Sequence, residues 1–185
     1  MDTSSWVRFF FKGSRRAGSE STQTRADHKE AEAQFSLGLR FASGDGASLD
    51  YAKAADWYLR AANQNHALAQ FNLGLMFAGG QGVAQDDAKA LIWMQMAAQQ
   101  GDPGAQHFLG MRLRRGSFEG LAKDAAESNI EAYKWFRLAA AQGYGDSDTA
   151  RDGVAIRLTR EQLEEGNHRA DACLLAPATA SQARP

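Results

Sequence analysis

The fold of this chain is clearest in residues 69–101, which read AQFNLGLMFAGGQGVAQDDAKALIWMQMAAQQG. In the first half of this stretch, Leu73 and Phe77 lie four residues apart and therefore on one face of a helix. The glycine-rich residues 79–82 interrupt this pattern, and Asp86 stands where the N-cap of a second helix is expected. The stretch therefore predicts two short helices joined by a turn. Such a hairpin cannot bury the apolar faces of both helices alone, so it needs neighbours.

The chain repeats this pattern at an interval of 36 residues. The first helix recurs in three copies, with matching positions at Ala33, Ala69 and Ala105; Leu37, Leu73 and Leu109; and Gly38, Gly74 and Gly110. In the second helix Trp57 matches Trp93, whereas Trp135 of the third copy arrives six residues late. Self-similarity at such a period indicates stacked helical hairpins. We therefore expect three hairpins that cover one another's apolar faces.

The recurring residue types have physical roles in such a stack. A glycine beside a leucine, as at Gly38, removes a side chain and lets a neighbouring helix approach closely, although it lowers helix propensity. The tryptophans offer large side chains for burial, so we expect Trp57, Trp93 and Trp135 at equivalent buried positions. The glycines between the helices, such as Gly82, are expected to adopt positive φ angles in the turn.

These residues together resemble a known family. The pattern AxxxLGxxFxxGxGxxxDxxKAxxWxxxAA is similar to the Sel1-like repeat (SLR), a relative of the tetratricopeptide repeat (TPR). The similarity is close over residues 33–101 and weaker over residues 105–143. It implies an all-α fold, a right-handed α-solenoid of three SLR/TPR-like helical hairpins, here with a C-terminal helical cap. It also implies a protein-binding scaffold or adaptor without shared catalytic residues.

Signals at the helix ends divide the chain into segments. Asp27 with Glu30, and Thr159 with Gln162, have the spacing of capping boxes, which predicts helix starts there. Residues 117–127 form the expected loop that carries the six-residue insertion of the third repeat. The predicted segments are an amphipathic segment 1–12, a flexible linker 13–26, three repeats at about 27–66, 67–102 and 103–145, capping helices 146–175 and a disordered tail 176–185.

The N-terminal segment 1–12 separates apolar from basic side chains. Trp6, Phe9 and Phe10 fall on one arc of a helical wheel, and Arg8 and Lys12 fall on the other. This pattern is typical of an interfacial helix, but the apolar region is too short to span a bilayer or to act as a secretory signal. Three interpretations stay open: binding to a membrane surface or partner, docking on the first repeat as a cap, and a disordered tail.

Composition and motif content argue against several functional classes. The net charge of −1 gives no general attraction to nucleic acids. The single cysteine, Cys173, provides no disulfide framework, which favours a cytoplasmic location, with the membrane surface as the alternative for residues 1–12. The sequence has no P-loop, HExxH, GxSxG or Cys-x-x-Cys motif, and its four histidines lack metal-ligand spacing. We therefore expect no enzymatic activity, no cofactor and no metal. The excess of arginine over lysine in an alanine-rich chain points to a bacterial source.

The remaining candidate for a functional site is a groove on the first helices. If residues 33, 37 and 41 face the partner helix, the residues two positions further on point roughly the other way. This ladder, with the basic residues at its end, consists of Phe35, Leu39, Phe71, Leu75, His107, Met111, Arg112 and Arg115. An apolar ladder that turns basic at one end suits a peptide ligand. The competing interpretation is that these side chains pack between successive first helices.

The sequence therefore favours a non-enzymatic scaffold that binds a protein or peptide segment, of unknown identity, through the solenoid. The alternative is a peripheral membrane adaptor anchored by residues 1–12. An enzyme is the least favoured class, because no set of residues supports one, and no nucleic-acid partner is expected.

Overall fold

The structure, a computed structural model, describes residues 30–116 and 124–175. Within these two ranges the chain forms eight helices and no strand, which confirms the expected all-α class. The helices are α1 Ala31–Ser43, α2 Tyr51–Asn63, α3 Ala67–Gly79, α4 Asp87–Gln99, α5 Pro103–Arg114, α6 Ala125–Ala141, α7 Ser147–Ala155 and α8 Arg160–Leu175. Helices α1 to α6 form the three hairpins that the repeat period predicts.

The described residues form two compact units, which divide between Trp93 and Met94. In the first unit, α2 packs against both α1 and α3. In the second unit, α6 packs against α5, α7 and α8. In both units, therefore, the second helix of a repeat contacts its own first helix and the helix that follows it.

The turns between the two helices of a hairpin have the predicted chemistry. The carboxylates of Asp50 and Asp86 cap α2 and α4, accepting hydrogen bonds from backbone N–H groups at 3.0 and 2.9 Å. Gly82 has a φ angle of +69°, a backbone conformation that residues other than glycine rarely adopt. A Cβ atom at Gly82 would also lie 2.3 Å from the carbonyl group of Tyr51, so glycine is required there for two reasons.

The glycine beside the repeated leucine provides space for an aromatic ring. A Cβ atom added at Gly38 would lie 2.5 Å from the ring of Tyr58, and one added at Gly110 would lie 2.8 Å from the ring of Phe136. Both distances are far below van der Waals contact, so a ring from the second helix packs directly on the backbone of the first. This confirms that the glycine allows the close approach of the two helices.

The tryptophans are less buried than expected. Trp57, Trp93 and Trp135 do occupy equivalent positions, but each is only half-buried. The residues that follow them are the buried ones: Tyr58, Met94 and Phe136. Successive residues on a helix point about 100° apart, so the buried face is centred one residue beyond the tryptophan. Cations cover two of the half-buried rings, with Arg60 4.5 Å from the centroid of Trp57 and Lys134 4.1 Å from that of Trp135.

Buried glutamines join consecutive hairpins. Gln70 of α3 donates a hydrogen bond from Nε2 to the carbonyl oxygen of Ala62 at 3.1 Å, near the end of α2. Gln106 of α5 makes the equivalent bond to Ala98, near the end of α4, at 3.2 Å. These carbonyl groups lie in the last turn of a helix and also accept hydrogen bonds from the backbone of Asn65 and Gly101, each at 3.0 Å. The glutamine adds a second donor and ties the start of the next first helix to the end of the preceding helix.

The insertion in the third repeat lengthens a helix instead of only a loop. Helix α6 has 17 residues, against 13 in α2 and α4. It begins at Ala125, because the carboxylate of Asp124 accepts a hydrogen bond from the backbone of Glu127 at 2.8 Å. The expected loop over residues 117–127 is therefore wrong at its C-terminal end; residues 117–123 lie outside the described residues.

The added turn of α6 binds the last helix. Arg169 of α8 makes ion pairs with Glu127, which lies in that turn, and with Glu131 at 2.8 Å. Glu165 of α8 itself holds the same guanidinium at 2.6 Å, and together these partners raise the pKa of Arg169. The insertion thus supplies a carboxylate that attaches α8 to α6.

The starts of α8 and α1 can be compared with the capping boxes that the sequence predicts. Thr159 and Gln162 form the predicted capping box of α8, with reciprocal hydrogen bonds of 3.3 and 2.9 Å. At the other end, α1 begins at Ala31, and its N-cap Glu30 makes no side-chain capping bond. Asp27, the other half of the expected box, lies outside the described residues, as do the predicted segments 1–12 and 176–185.

Candidate protein-binding surface

Position 35 of the first repeat lies in the core between two first helices. Phe35 is 7% exposed, and its ring stacks on that of His66 with centroids 4.6 Å apart. His66 caps α3 by accepting a hydrogen bond at Nδ1 from the backbone of Ala69 at 3.2 Å. Its other nitrogen, Nε2, lies 2.9 Å from the carboxylate of Glu32 on α1. Phe35 and Glu32 of α1 thus hold the residue that starts α3.

His107, at the equivalent position of the third repeat, also contacts the start of the next helix, but through a hydrogen bond. His107 Nδ1 is hydrogen-bonded to the hydroxyl group of Ser147 at 2.8 Å, at the start of α7. The imidazole also contacts Phe136 of α6 and Tyr144, which precedes α7, at centroid distances of 5.4 and 5.7 Å. Burial lowers the pKa of His107; the charge of Arg114 adds to this effect, whereas Asp146 opposes it. The imidazole is therefore neutral at pH 7.

The expectation that Phe35 and Phe71 line an open groove does not fit their burial. Phe71 is 3% exposed, so neither ring offers surface to a ligand. Position 35 lies about half a turn from Leu37 on the helix. The side chain at position 35 therefore points towards the neighbouring first helix and not towards solvent. The contacts of Phe35 and His107 support the competing interpretation, in which this position packs between successive first helices.

Other positions of the first helices remain accessible. Leu39, Leu75 and Met111, at one repeat position, are each half-buried, and Leu68 at the start of α3 is 42% exposed. Phe108 is half-buried as well, and it lies one turn before Met111 on the same face of α5. We define the α1–α3 surface as Leu39, Leu68 and Leu75, within the first unit.

Sequence reasoning did not select Leu68 or Phe108. The signal for Phe108 is a contrast between copies, because the other two repeats have Ser36 and Asn72 at its position. Asn72 is engaged internally, since its side chain is hydrogen-bonded to Tyr58. An aromatic residue that replaces two polar ones at a half-buried position is the pattern expected of a binding residue.

Basic side chains follow Phe108 and Met111 to the end of α5. The guanidinium of Arg112 lies 5.6 Å from the centroid of the Phe108 ring, and Arg112 is half-buried. Arg114 donates a hydrogen bond to the Sδ atom of Met111 at 3.4 Å, and Arg115 is exposed. We define the α5 surface as Phe108, Met111, Arg112, Arg114 and Arg115, within the second unit.

The described residues hold no group of three or more metal-binding side chains. Among the same residues, no helix combines the length and the hydropathy that crossing a membrane requires. The predicted N-terminal interaction residues Trp6, Arg8, Phe9, Phe10 and Lys12 lie outside the described ranges.

Comparison with known proteins shows to which family the three repeats belong. A model of the Sel1 repeat matches residues 31–66, 67–102 and 103–144. The chain belongs to the Sel1 repeat family. Sel1 repeats generally mediate interactions with other proteins, and a comparison with curated proteins gave no match.

Solved structures of Sel1 repeat proteins share the fold. A Sel1 repeat protein from Oxalobacter formigenes is 34% identical, with a TM-score of 0.63 over 72% of this chain and 96% of that protein. A protective antigen from uropathogenic Escherichia coli with an SLR fold is 32% identical, with a TM-score of 0.68 over 83% of this chain. The match covers 34% of that second protein, so this chain spans about a third of its length. The fold class is therefore the SLR α-solenoid, and both relatives come from bacteria, which agrees with a bacterial source.

Proposed function

We propose that this Sel1 repeat chain is a non-enzymatic scaffold that binds a protein or peptide segment through the accessible face of its first helices. The observation that carries the proposal is the run of three Sel1 repeats from residue 31 to residue 144, because such repeats generally bind proteins. The residues that we assign to binding lie on the α1–α3 surface and on the α5 surface, each within its own unit.

The accessible side chains support this assignment. Leu39 and Leu75 are partly accessible, whereas Leu37 and Leu73 on the same helices are buried. An apolar side chain that is half-buried in the free protein loses its remaining water on binding at little cost in conformational entropy. Phe108, Met111 and three arginines on α5 add the aromatic and guanidinium groups that dominate protein interfaces.

The test is capture of partners by the full chain and by surface variants. Leu75→Asp and Met111→Asp should reduce capture, because each places a charge where the proposed interface is apolar. Ile92→Asp is the matched control, since Ile92 on α4 is 55% exposed and belongs to neither surface. Circular dichroism should show unchanged helix content in all three variants. Capture that survives Leu75→Asp and Met111→Asp, but fails with Ile92→Asp, would move the binding site to the second helices.

A second proposal concerns residues 1–12, which would deliver the repeats to a membrane surface. The support is the sequence itself, in which Trp6, Phe9 and Phe10 oppose Arg8 and Lys12 on a helical wheel. Co-sedimentation with anionic vesicles should be lost when residues 1–12 are deleted. Equal sedimentation of both forms would reject this role.

A further inference from the structure

We infer that the α5 surface selects an acidic segment that carries an apolar side chain. The inference rests on the proposed function and adds the chemistry of the partner. Two features meet on this surface: a partly accessible apolar patch, and a cluster of guanidinium groups in the last turn of the same helix.

The apolar part consists of Phe108 and Met111. Both side chains are half-buried, so their inner edges are fixed by the protein while part of each faces solvent. Met111 also packs against the core around Tyr133 and Phe136, which holds its position. A fixed aromatic ring beside a thioether forms a small apolar platform suited to one large aliphatic or aromatic side chain.

The basic part consists of the guanidinium groups of Arg114 and Arg115, next to that platform. Arg114 is held by Met111, and Arg115 extends into solvent. The Nε and Nη2 atoms of Arg112 are buried beside the Phe108 ring, so this side chain supports the platform. The partial negative charge at the C-terminus of α5 opposes an anion there, but it amounts to only about half an elementary charge. The two full positive charges of Arg114 and Arg115 outweigh it, so a carboxylate next to the platform is favoured over an ammonium group.

The equivalent positions of the first two repeats do not offer this charge. At the position of Arg114, those repeats have Ala42 and Ala78. At the position of Arg115, those repeats have Ser43 and Gly79. The preference for acidic residues therefore belongs to the third repeat alone.

The experiment selects peptides from a displayed library of random sequences on the full chain and then measures binding of the most enriched peptide by fluorescence anisotropy. We expect the enriched peptides to carry Asp or Glu beside a large apolar residue. Arg115→Glu should lower the affinity for the selected peptide about tenfold at low salt. The loss of affinity should be smaller at high salt, because exposed charges are screened. Met111→Asp should abolish binding.

Arg157→Glu is the matched control, because Arg157 is exposed elsewhere in the second unit and the substitution changes the net charge equally. Binding that falls equally in Arg115→Glu and Arg157→Glu would overturn the inference, as would a selection that enriches no peptide or enriches neutral or basic ones. The capture experiment separates the two proposals. Capture that depends on Met111 but not on Arg115 keeps the scaffold function and rejects the acidic partner.

Discussion

The first and third repeats build the same helical hairpin but attach the next first helix differently. In both, a glycine on the first helix receives a ring from the second, Tyr58 on Gly38 and Phe136 on Gly110. At the position that reaches the next first helix, the first repeat stacks Phe35 on a histidine, whereas the third hydrogen-bonds His107 to a buried serine. Contacts inside a hairpin are thus fixed by the close approach of two helices, while contacts between hairpins tolerate different chemistry.

The largest expected effect concerns the ring inside the hairpin. Phe136 is fully buried and the preceding Trp135 is half-buried, so Phe136→Ala should lower the free energy of unfolding by about 3–5 kcal/mol and Trp135→Ala by about 1–2 kcal/mol. Urea denaturation followed by circular dichroism measures both. A larger loss for Trp135→Ala would mean that the tryptophan, and not the residue after it, is the main contact of the hairpin.

The glycine that receives this ring should be nearly as sensitive. Gly110→Val places a branched side chain 2.8 Å from the Phe136 ring and should cost about 2–3 kcal/mol of unfolding free energy. Gly153→Ala is the control, because nothing lies within 4 Å of a Cβ atom there. The alanine should leave stability unchanged or raise it by up to about 1 kcal/mol, since it favours the helix. If both variants destabilise equally, the ring does not pack on the Gly110 backbone.

The smallest effect that we expect is a pH dependence of the unfolding free energy, caused by His107, which replaces the phenylalanine of the other two repeats. Burial lowers the pKa of His107 below 6.5, so the unfolded chain takes up a proton before the folded one does. The contribution of neutral His107 to the unfolding free energy is therefore complete above pH 6.5. It is lost as the pH falls from 6.5 towards the pKa of His107 in the folded chain. His107→Phe, which introduces the residue found at positions 35 and 71, should make the unfolding free energy less dependent on pH in this range.

The absolute stability of His107→Phe is not the readout, since the hydroxyl group of Ser147 loses its partner at every pH. A slope that is unchanged in His107→Phe would show that the histidine titrates freely in the folded chain.

The local features of the fold could be predicted from the sequence. The repeat period located three hairpins, Gly82 was expected to have a positive φ angle, and Thr159 was expected to cap α8. Each of these depends on a few neighbouring residues whose chemistry allows one conformation. The Sel1 repeat resemblance agreed with them because it rests on the same positions.

The features that depend on neighbouring helices were predicted less well. A helical wheel places Trp93 and Met94 near the same face, and only the position of the packed helices decides that Met94 is fully buried. Phe35 was expected in a groove for the same reason, because its ring stacks on His66, which lies beyond its own hairpin. The longer α6 was missed because an insertion in the sequence does not show whether it extends a loop or a helix.

Binding of partners to the first helices can be tested by site-specific photo-crosslinking. A photoreactive benzoylphenylalanine would replace Leu75 on α3, Met111 on α5 or Ile92 on α4, one at a time, in the full chain expressed in bacterial cells. We expect crosslinks to another protein from positions 75 and 111 and none from position 92. Crosslinks from position 92 alone would contradict this expectation and place the binding surface on the second helices.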